Sequence, residues 1–107
     1  MENMDINDII GQVNYIKKRL AELQEELKKT TVEGSEQRKI VKVQLSGTGI
    51  ILGYKIDQKE DFEINTLSSA LVEATNEGLE KARKLESQKK KEIAADLNLP
   101  DNIPGLF

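Results

Sequence analysis

The sequence predicts an α+β fold in which two long helices flank a three-stranded antiparallel sheet, in the order α-β-β-β-α. Three patterns predict it: an apolar repeat in steps of three and four, a stretch of alternating apolar and polar residues, and a second helical repeat built on small residues. The apolar period changes from about 3.5 to 2 and back, as expected for helix, strands and helix. A chain of 107 residues fits a single domain, 1–107.

The first predicted helix covers residues 5–29. Its apolar residues have the heptad spacing that is typical of a coiled coil. Asp5 is suited to cap the first turn, and Lys28 and Lys29 suit the helix dipole in the last turn. The predicted dimer or packing seam comprises Ile6, Ile9, Val13, Ile16, Leu20, Leu23 and Leu27.

Residues 30–57 are predicted to form the three-stranded meander. Apolar and polar residues alternate over 41–45, the pattern of a strand that is buried on one face. Gly47 and Gly49 then supply a hairpin loop. They are not interpreted as a phosphate-binding loop, because they join two strands and lack the Gly-Lys-Ser/Thr ending.

The second predicted helix covers residues 63–96, and residues 97–107, which contain two prolines, are predicted to be irregular. One side of this helix carries unusually small residues that let another backbone approach closely. These residues are Ala70, Ala74, Gly78 and Ala82.

The predicted helices are longer than the predicted sheet. A helix of about 25 residues measures about 37 Å, whereas three short strands span far less. The helices must therefore overhang the sheet and project as arms. Part of the seam would be exposed in a monomer unless the two helices pair along it or a second chain covers it, and we expect a homodimer.

Composition excludes most catalytic chemistry. The chain has no cysteine and no histidine, so disulfides, thiolate nucleophiles and the commonest zinc ligand and general base are absent. We therefore expect no enzymatic activity, no catalytic residue, no metal, no cofactor and no small-molecule substrate.

The N-terminus lacks the features of a signal peptide, and no apolar run approaches the length of a membrane span, so we expect a cytoplasmic protein without a membrane partner.

The formal charge of −3 argues against a general attraction to nucleic acid, so any DNA binding must depend on a local basic patch. The two densest basic clusters supply the candidate DNA-binding residues. A competing interpretation for any one of them is a solvated cation with a carboxylate one helical turn away, as Glu77 is from Lys81. The candidates are Lys17, Lys18 and Arg19 on the first helix, and Lys81, Arg83, Lys84, Lys89, Lys90 and Lys91 on the second.

Short motifs occur along nearly the whole chain. They are Val32-Glu33-Gly34, Val41-Lys42-Val43-Gln44-Leu45-Ser46-Gly47-Thr48-Gly49, Lys55-Ile56-Asp57, Ala74-Thr75-Asn76-Glu77-Gly78, Lys81-Ala82-Arg83-Lys84-Leu85, Leu99-Pro100 and Pro104-Gly105-Leu106-Phe107. In combination these motifs resemble the YbaB/EbfC family. Two features depart from the family pattern: Gln58 stands where proline is usual, and Ile50-Ile51-Leu52 is apolar where charged residues are usual. The second departure suggests a more buried or more closely paired third strand.

The resemblance implies a tweezer-like homodimer whose helical arms project from a joined body. It also implies a nucleoid-associated protein that binds duplex DNA with low sequence specificity and influences DNA organisation or gene expression. The alternative is a helical-arm interaction module that resembles prefoldin subunits and holds clients with apolar arm tips, without binding DNA. The basic clusters favour DNA binding, whereas the net negative charge of the chain leaves the alternative open.

Overall fold

The computed structural model describes residues 5–58 and 62–99, which form two helices and a three-stranded sheet. The sheet is an antiparallel meander of order β1-β2-β3. This arrangement confirms the predicted fold class. Of the irregular segment predicted at 97–107, residues 100–107 lie outside the described residues. The elements are α1 (Ile6–Lys29), β1 (Thr31–Ser35), β2 (Val41–Ser46), β3 (Ile51–Ile56) and α2 (Ile64–Asp96).

Helix α1 begins at the predicted cap. The Asp5 carboxylate accepts a hydrogen bond of 2.8 Å from the Asp8 N–H, which satisfies one of the free donors of the first turn. Lys28 and Lys29 lie in the last turn, where positive charge complements the helix dipole.

The core lies between the sheet and the first half of α2. Val41, Val43 and Leu45 of β2 are completely buried and pack against Ala70 and Ala74 of α2. The intervening residues of β2 are only half-buried, as expected for a strand with one face on a core. The alternation in the sequence therefore identifies the buried face of β2 correctly.

Two glycines let the backbones of β1 and α2 touch. A Cβ atom placed on Gly34 would lie 2.3 Å from the Ala74 carbonyl oxygen and 2.4 Å from the Gly78 backbone nitrogen. A Cβ on Gly78 would lie 2.3 Å from the Leu45 side chain. The small-residue side of α2 therefore receives a backbone, as its sequence predicts, and that backbone belongs to β1.

The C-terminal part of α1 pairs with the C-terminal part of α2. Leu23, Leu27 and Ile93 form a second buried cluster. At the other end of the predicted seam, Ile6 is 74% exposed and Ile9 is 49% exposed, whereas Ile16 is buried and Val13 and Leu20 are half-buried. We call α1 together with α2 residues 83–96 the arm; it gives the described chain an elongated shape of 68 × 21 × 18 Å.

The turn between β2 and β3, residues 47–49, is fixed to the end of α1. The Gly47 N–H donates to the carbonyl oxygens of Leu27 (2.9 Å) and Thr30 (2.8 Å). Gly49 has a φ of 92°, a conformation that residues with a side chain rarely adopt. The predicted role of these glycines in a hairpin is confirmed.

A buried carboxylate closes the turn between β1 and β2. Glu36 is 4% exposed, and its side chain accepts hydrogen bonds from the backbone N–H groups of Arg38, Ile40 and Val41. Burial alone would raise the pKa of this carboxyl, but the three donors and the positive charge of Arg38 outweigh burial and hold the pKa below its usual value.

Strand β3 is not buried within the chain, contrary to the suggestion from Ile50-Ile51-Leu52. Ile51 is 44% exposed, Leu52 is 59% exposed and Tyr54 is 41% exposed. The physical reason is that α2 packs across β1 and β2, whereas β3 contacts mainly β2. The apolar character of β3 is therefore not explained by contacts within the described chain.

Replacing Gly34 by alanine should destabilise the protein strongly, because backbone atoms of α2 occupy the space that the methyl group needs. Overpacking of this kind costs about 1–3 kcal/mol or more. Thermal or chemical unfolding of Gly34→Ala measures the loss. Gly11→Ala is the matched control: apart from its own helical backbone and chain neighbours, no atom of the described residues lies within 4 Å of the added Cβ, and removing a helical glycine should stabilise α1 by up to about 1 kcal/mol. Equal stability of the two variants would contradict the close contact.

Replacing Glu36 by glutamine should lower the unfolding midpoint at neutral pH. A depressed pKa in the folded state contributes stability that is present above the unfolded pKa of about 4.3 and is lost as the pH falls through the lower, folded pKa. The difference between wild type and Glu36→Gln should therefore shrink below about pH 4. Glu33→Gln, at an exposed acid of β1, should have little effect at any pH. A difference that stays constant from neutral to strongly acidic pH would refute the role of the charge.

Candidate nucleic-acid interface

The pairing of α1 with α2 brings the two predicted basic clusters onto one arm. The clusters are far apart in sequence, but the contacts among Leu23, Leu27 and Ile93 hold the helices side by side. Arg19 of α1 reaches Asp96 of α2 at 3.4 Å, and Lys89 of α2 reaches Glu26 of α1 at 3.7 Å. These two ion pairs cross the contact between α1 and α2 and add to the apolar packing of the arm.

Several of the nine predicted DNA-binding residues already have carboxylate partners. Arg19 pairs with Asp96, Lys84 pairs with Glu80 at 3.2 Å, and Lys90 pairs with Glu86 at 3.1 Å. Lys89 lies between Glu26 (3.7 Å) and Glu92 (3.9 Å). A phosphate that contacts one of these cations has to compete with the carboxylate that already neutralises it.

Lys81 is held in place by β1. Its ammonium donates to the Glu33 carbonyl oxygen at 3.0 Å and pairs with Glu77 at 3.2 Å. The Glu77 carboxylate also accepts the Ser35 N–H at 3.0 Å. That hydrogen bond, together with Lys81, holds the pKa of Glu77 below its usual value. Lys81 therefore has two partners at the outer edge of β1, the Glu33 carbonyl oxygen and the Glu77 carboxylate.

Four of the nine predicted residues form no ion pair within residues 5–58 and 62–99. All four side chains are exposed and lie on the arm. Because they have no carboxylate to leave, they are the strongest phosphate-contact candidates of the set. We call them the unpaired cations: Lys17, Lys18, Arg83 and Lys91.

The sheet carries a further pair of cations that are not among the nine predicted DNA-binding residues. Lys42 of β2 and Lys55 of β3 are direct register partners, and neither forms an ion pair in the part of the chain that the structure describes. They lie on the sheet face opposite the core, since the neighbouring β2 residues Val41 and Val43 face α2. Like charges directly opposite each other on a sheet are unfavourable. The alternation of apolar and polar residues in β2 already predicts that Lys42 lies on this face. That Lys42 stands opposite Lys55 is apparent only from the register of the two strands in the folded chain.

The described residues contain no group of three or more histidine, cysteine, aspartate or glutamate side chains that could hold a metal ion. They also contain no helix that is long and apolar enough to cross a membrane.

A family model described as the YbaB/EbfC DNA-binding family matches residues 1–97. The chain is 37% identical over 103 residues to a nucleoid-associated protein of Desulfotalea psychrophila, covering 92% of this chain and 94% of that protein. It is 36% identical over 99 residues to a nucleoid-associated protein of Syntrophobacter fumaroxidans, covering 90% of each.

The fold is also similar to a solved structure. The crystal structure of an uncharacterized protein from Helicobacter pylori matches with a TM-score of 0.71 at 22% identity, covering 89% of this chain and 98% of that one. At this identity the likeness concerns the fold alone. The family model and the two relatives extend over most of the sequence, including both helices and all three strands. This chain therefore belongs to the YbaB/EbfC DNA-binding family.

Proposed function

We propose that this chain binds duplex DNA with low sequence specificity, as a homodimer associated with the nucleoid in the cytoplasm. The observation that carries the proposal is the set of unpaired cations on the arm, in a chain whose net charge is −3. Membership of a DNA-binding family supports the same conclusion. We expect no enzymatic activity from this arrangement.

The chemistry of the unpaired cations favours the DNA backbone over the bases. Lysine and arginine on an exposed helix reach phosphate oxygens, which are the same in every sequence. Neutralising phosphates releases counterions, and this release supplies most of the non-specific affinity. Binding should therefore depend steeply on salt and weakly on sequence.

The exposed edge of β3 supports a homodimer. An edge strand with free backbone donors and acceptors is a template for pairing with another chain. The outer edge of β1 is covered, because Glu77 accepts the Ser35 N–H and Lys81 donates to the Glu33 carbonyl. Within the described residues no helix lies along β3, although the Tyr54 hydroxyl hydrogen-bonds Thr75 of α2 at 2.6 Å. Apart from Lys55, the large exposed side chains of β3 are apolar or aromatic: Ile51, Leu52, Tyr54 and Ile56. Pairing of β3 with β3 of a second copy would remove this surface from water.

A twofold dimer formed in this way would also serve DNA binding. Closed twofold symmetry is the commonest solution for identical chains, and it presents every contact twice. Each dimer would carry two arms and two sets of unpaired cations. The doubling offsets the small number of unpaired cations on each chain.

Replacing Lys17 and Lys18 by glutamine should weaken binding to all duplexes alike. The change removes up to four phosphate contacts per dimer, so the log-log salt dependence should become less steep by at most about 3.6. Fluorescence anisotropy with unrelated duplexes over a salt series measures both quantities.

The matched control is Lys28→Gln/Lys84→Gln, which changes the net charge equally but removes cations that pair with Glu25 and Glu80. Its affinity should fall much less. Equal losses in the two variants would mean that only the total charge matters. An unchanged affinity and salt slope in Lys17→Gln/Lys18→Gln would remove these residues from the interface.

Replacing Leu52 by lysine should convert the dimer to a monomer. Leu52 is 59% exposed in the chain, so the substitution costs little in a folded monomer but places a charge in the proposed β3 interface. Sedimentation equilibrium at micromolar concentration measures the change. Ile9→Lys, a comparable substitution on the exposed part of the α1 seam, should remain dimeric. Dissociation by Ile9→Lys alone would assign the interface to α1 instead.

A further inference from the structure

A cleft lies where the β2–β3 turn approaches α2. Its volume is about 410 Å³, within the range of about 300–1,000 Å³ that is common for ligand sites. The turn, residues 47–49, forms one wall, and α2 forms the other with Arg83, Ser87 and Lys91. We propose that this cleft binds a phosphodiester group of the DNA backbone. The inference rests on the proposed function and names a specific subsite within it.

The helical wall concentrates positive charge on one face. Arg83, Ser87 and Lys91 are spaced four residues apart, so their side chains follow one another along α2. Arg83 and Lys91 have no carboxylate partner within the described chain. The acid in the lining, Glu86, is paired with Lys90 at 3.1 Å, which leaves the cleft with a positive balance. On this wall an anion therefore meets two cations that have no carboxylate partner among the described residues, and the hydroxyl group of Ser87.

The opposite wall is rigid before any ligand arrives. The Gly47 N–H is bound to Leu27 and Thr30, and the Ser46 and Thr48 hydroxyl groups are 2.6 Å apart. The Thr48 N–H has no acceptor within the described part of the chain. A turn that is already ordered loses little conformational entropy when a ligand binds. Less of the free energy of the phosphate contacts is therefore lost in ordering the turn.

The spacing of the helical wall suits a nucleic-acid backbone more than an isolated ion. Arg83 and Lys91 are separated by about 12 Å of helical rise, at about 1.5 Å per residue. If α2 runs along the DNA axis, where one strand advances about 3.4 Å per phosphate, this length accompanies about three successive phosphates. A single phosphate ion could engage only part of this surface at one time.

The test combines affinity with a local readout. Arg83→Gln/Ser87→Ala/Lys91→Gln should reduce the affinity for duplex DNA by about tenfold or more and flatten its salt dependence. In NMR spectra of the wild type, a short duplex should shift the amide signals of Thr48 and Gly49, and the triple variant should lose these shifts. Lys28→Gln/Lys39→Gln/Ser68→Ala is the matched control, with the same loss of charge and hydroxyl at exposed positions outside the cleft, and should retain both. Circular dichroism checks that each variant is folded.

The outcomes separate this inference from the proposed function. If the wild type binds duplexes and the triple variant binds equally well with an unchanged slope, the cleft is not a phosphate site, although DNA binding stands. If inorganic phosphate at low millimolar concentration shifts the same amides and a duplex does not, the cleft binds the free ion and the DNA subsite is refuted. If the wild type binds no duplex even at low salt, the proposed function itself fails.

Discussion

The contact between the backbones of β1 and α2 at Gly34 and Gly78 determines the rest of the structure. No side chain fits between them, and the alanines that flank Gly78 keep the same face of α2 narrow. The helix consequently lies directly on β1 and β2, and the completely buried residues Val41, Val43 and Leu45 fill the space beneath it. A larger residue at either glycine would lift the helix from the sheet and open this core.

Two functional features follow from the position of α2. The first half of α2 packs against β1 and β2. The second half therefore extends beyond the sheet and pairs with α1 to form the arm. The same placement leaves β3 beside α2 and not beneath it: the Tyr54 hydroxyl hydrogen-bonds Thr75 of α2, but Ile51, Leu52 and Tyr54 remain exposed. One close contact thus separates an arm that carries unpaired cations from an edge strand suited to a second copy. The proposed division between DNA binding and dimerisation has this physical origin.

The sequence predicts features that depend on neighbours along the chain, and these include the fold class, the Asp5 cap, the alternation of β2 and the small face of α2. The sequence does not reveal which cations form ion pairs between the helices. Arg19 and Asp96 are 77 residues apart along the chain, and Lys89 reaches Glu26 only when the two helices pack together. Nor does the sequence show that β3 is exposed within the chain. A run of apolar residues is expected whether a helix of the same chain or a second chain covers the strand. The cleft beside the 47–49 turn likewise requires the fold to bring Thr48 near Arg83.

In the proposed interface, DNA contacts the unpaired cations of the arm and not the cations that have a carboxylate partner among the described residues. Lysine acetylation rates, measured residue by residue by mass spectrometry with and without a duplex, test this claim most directly. Lys17, Lys18 and Lys91 should be protected by the duplex, whereas Lys28 and Lys84 should react at nearly the same rate in both states. Uniform protection of all lysines, or protection confined to Lys28 and Lys84, would contradict the account.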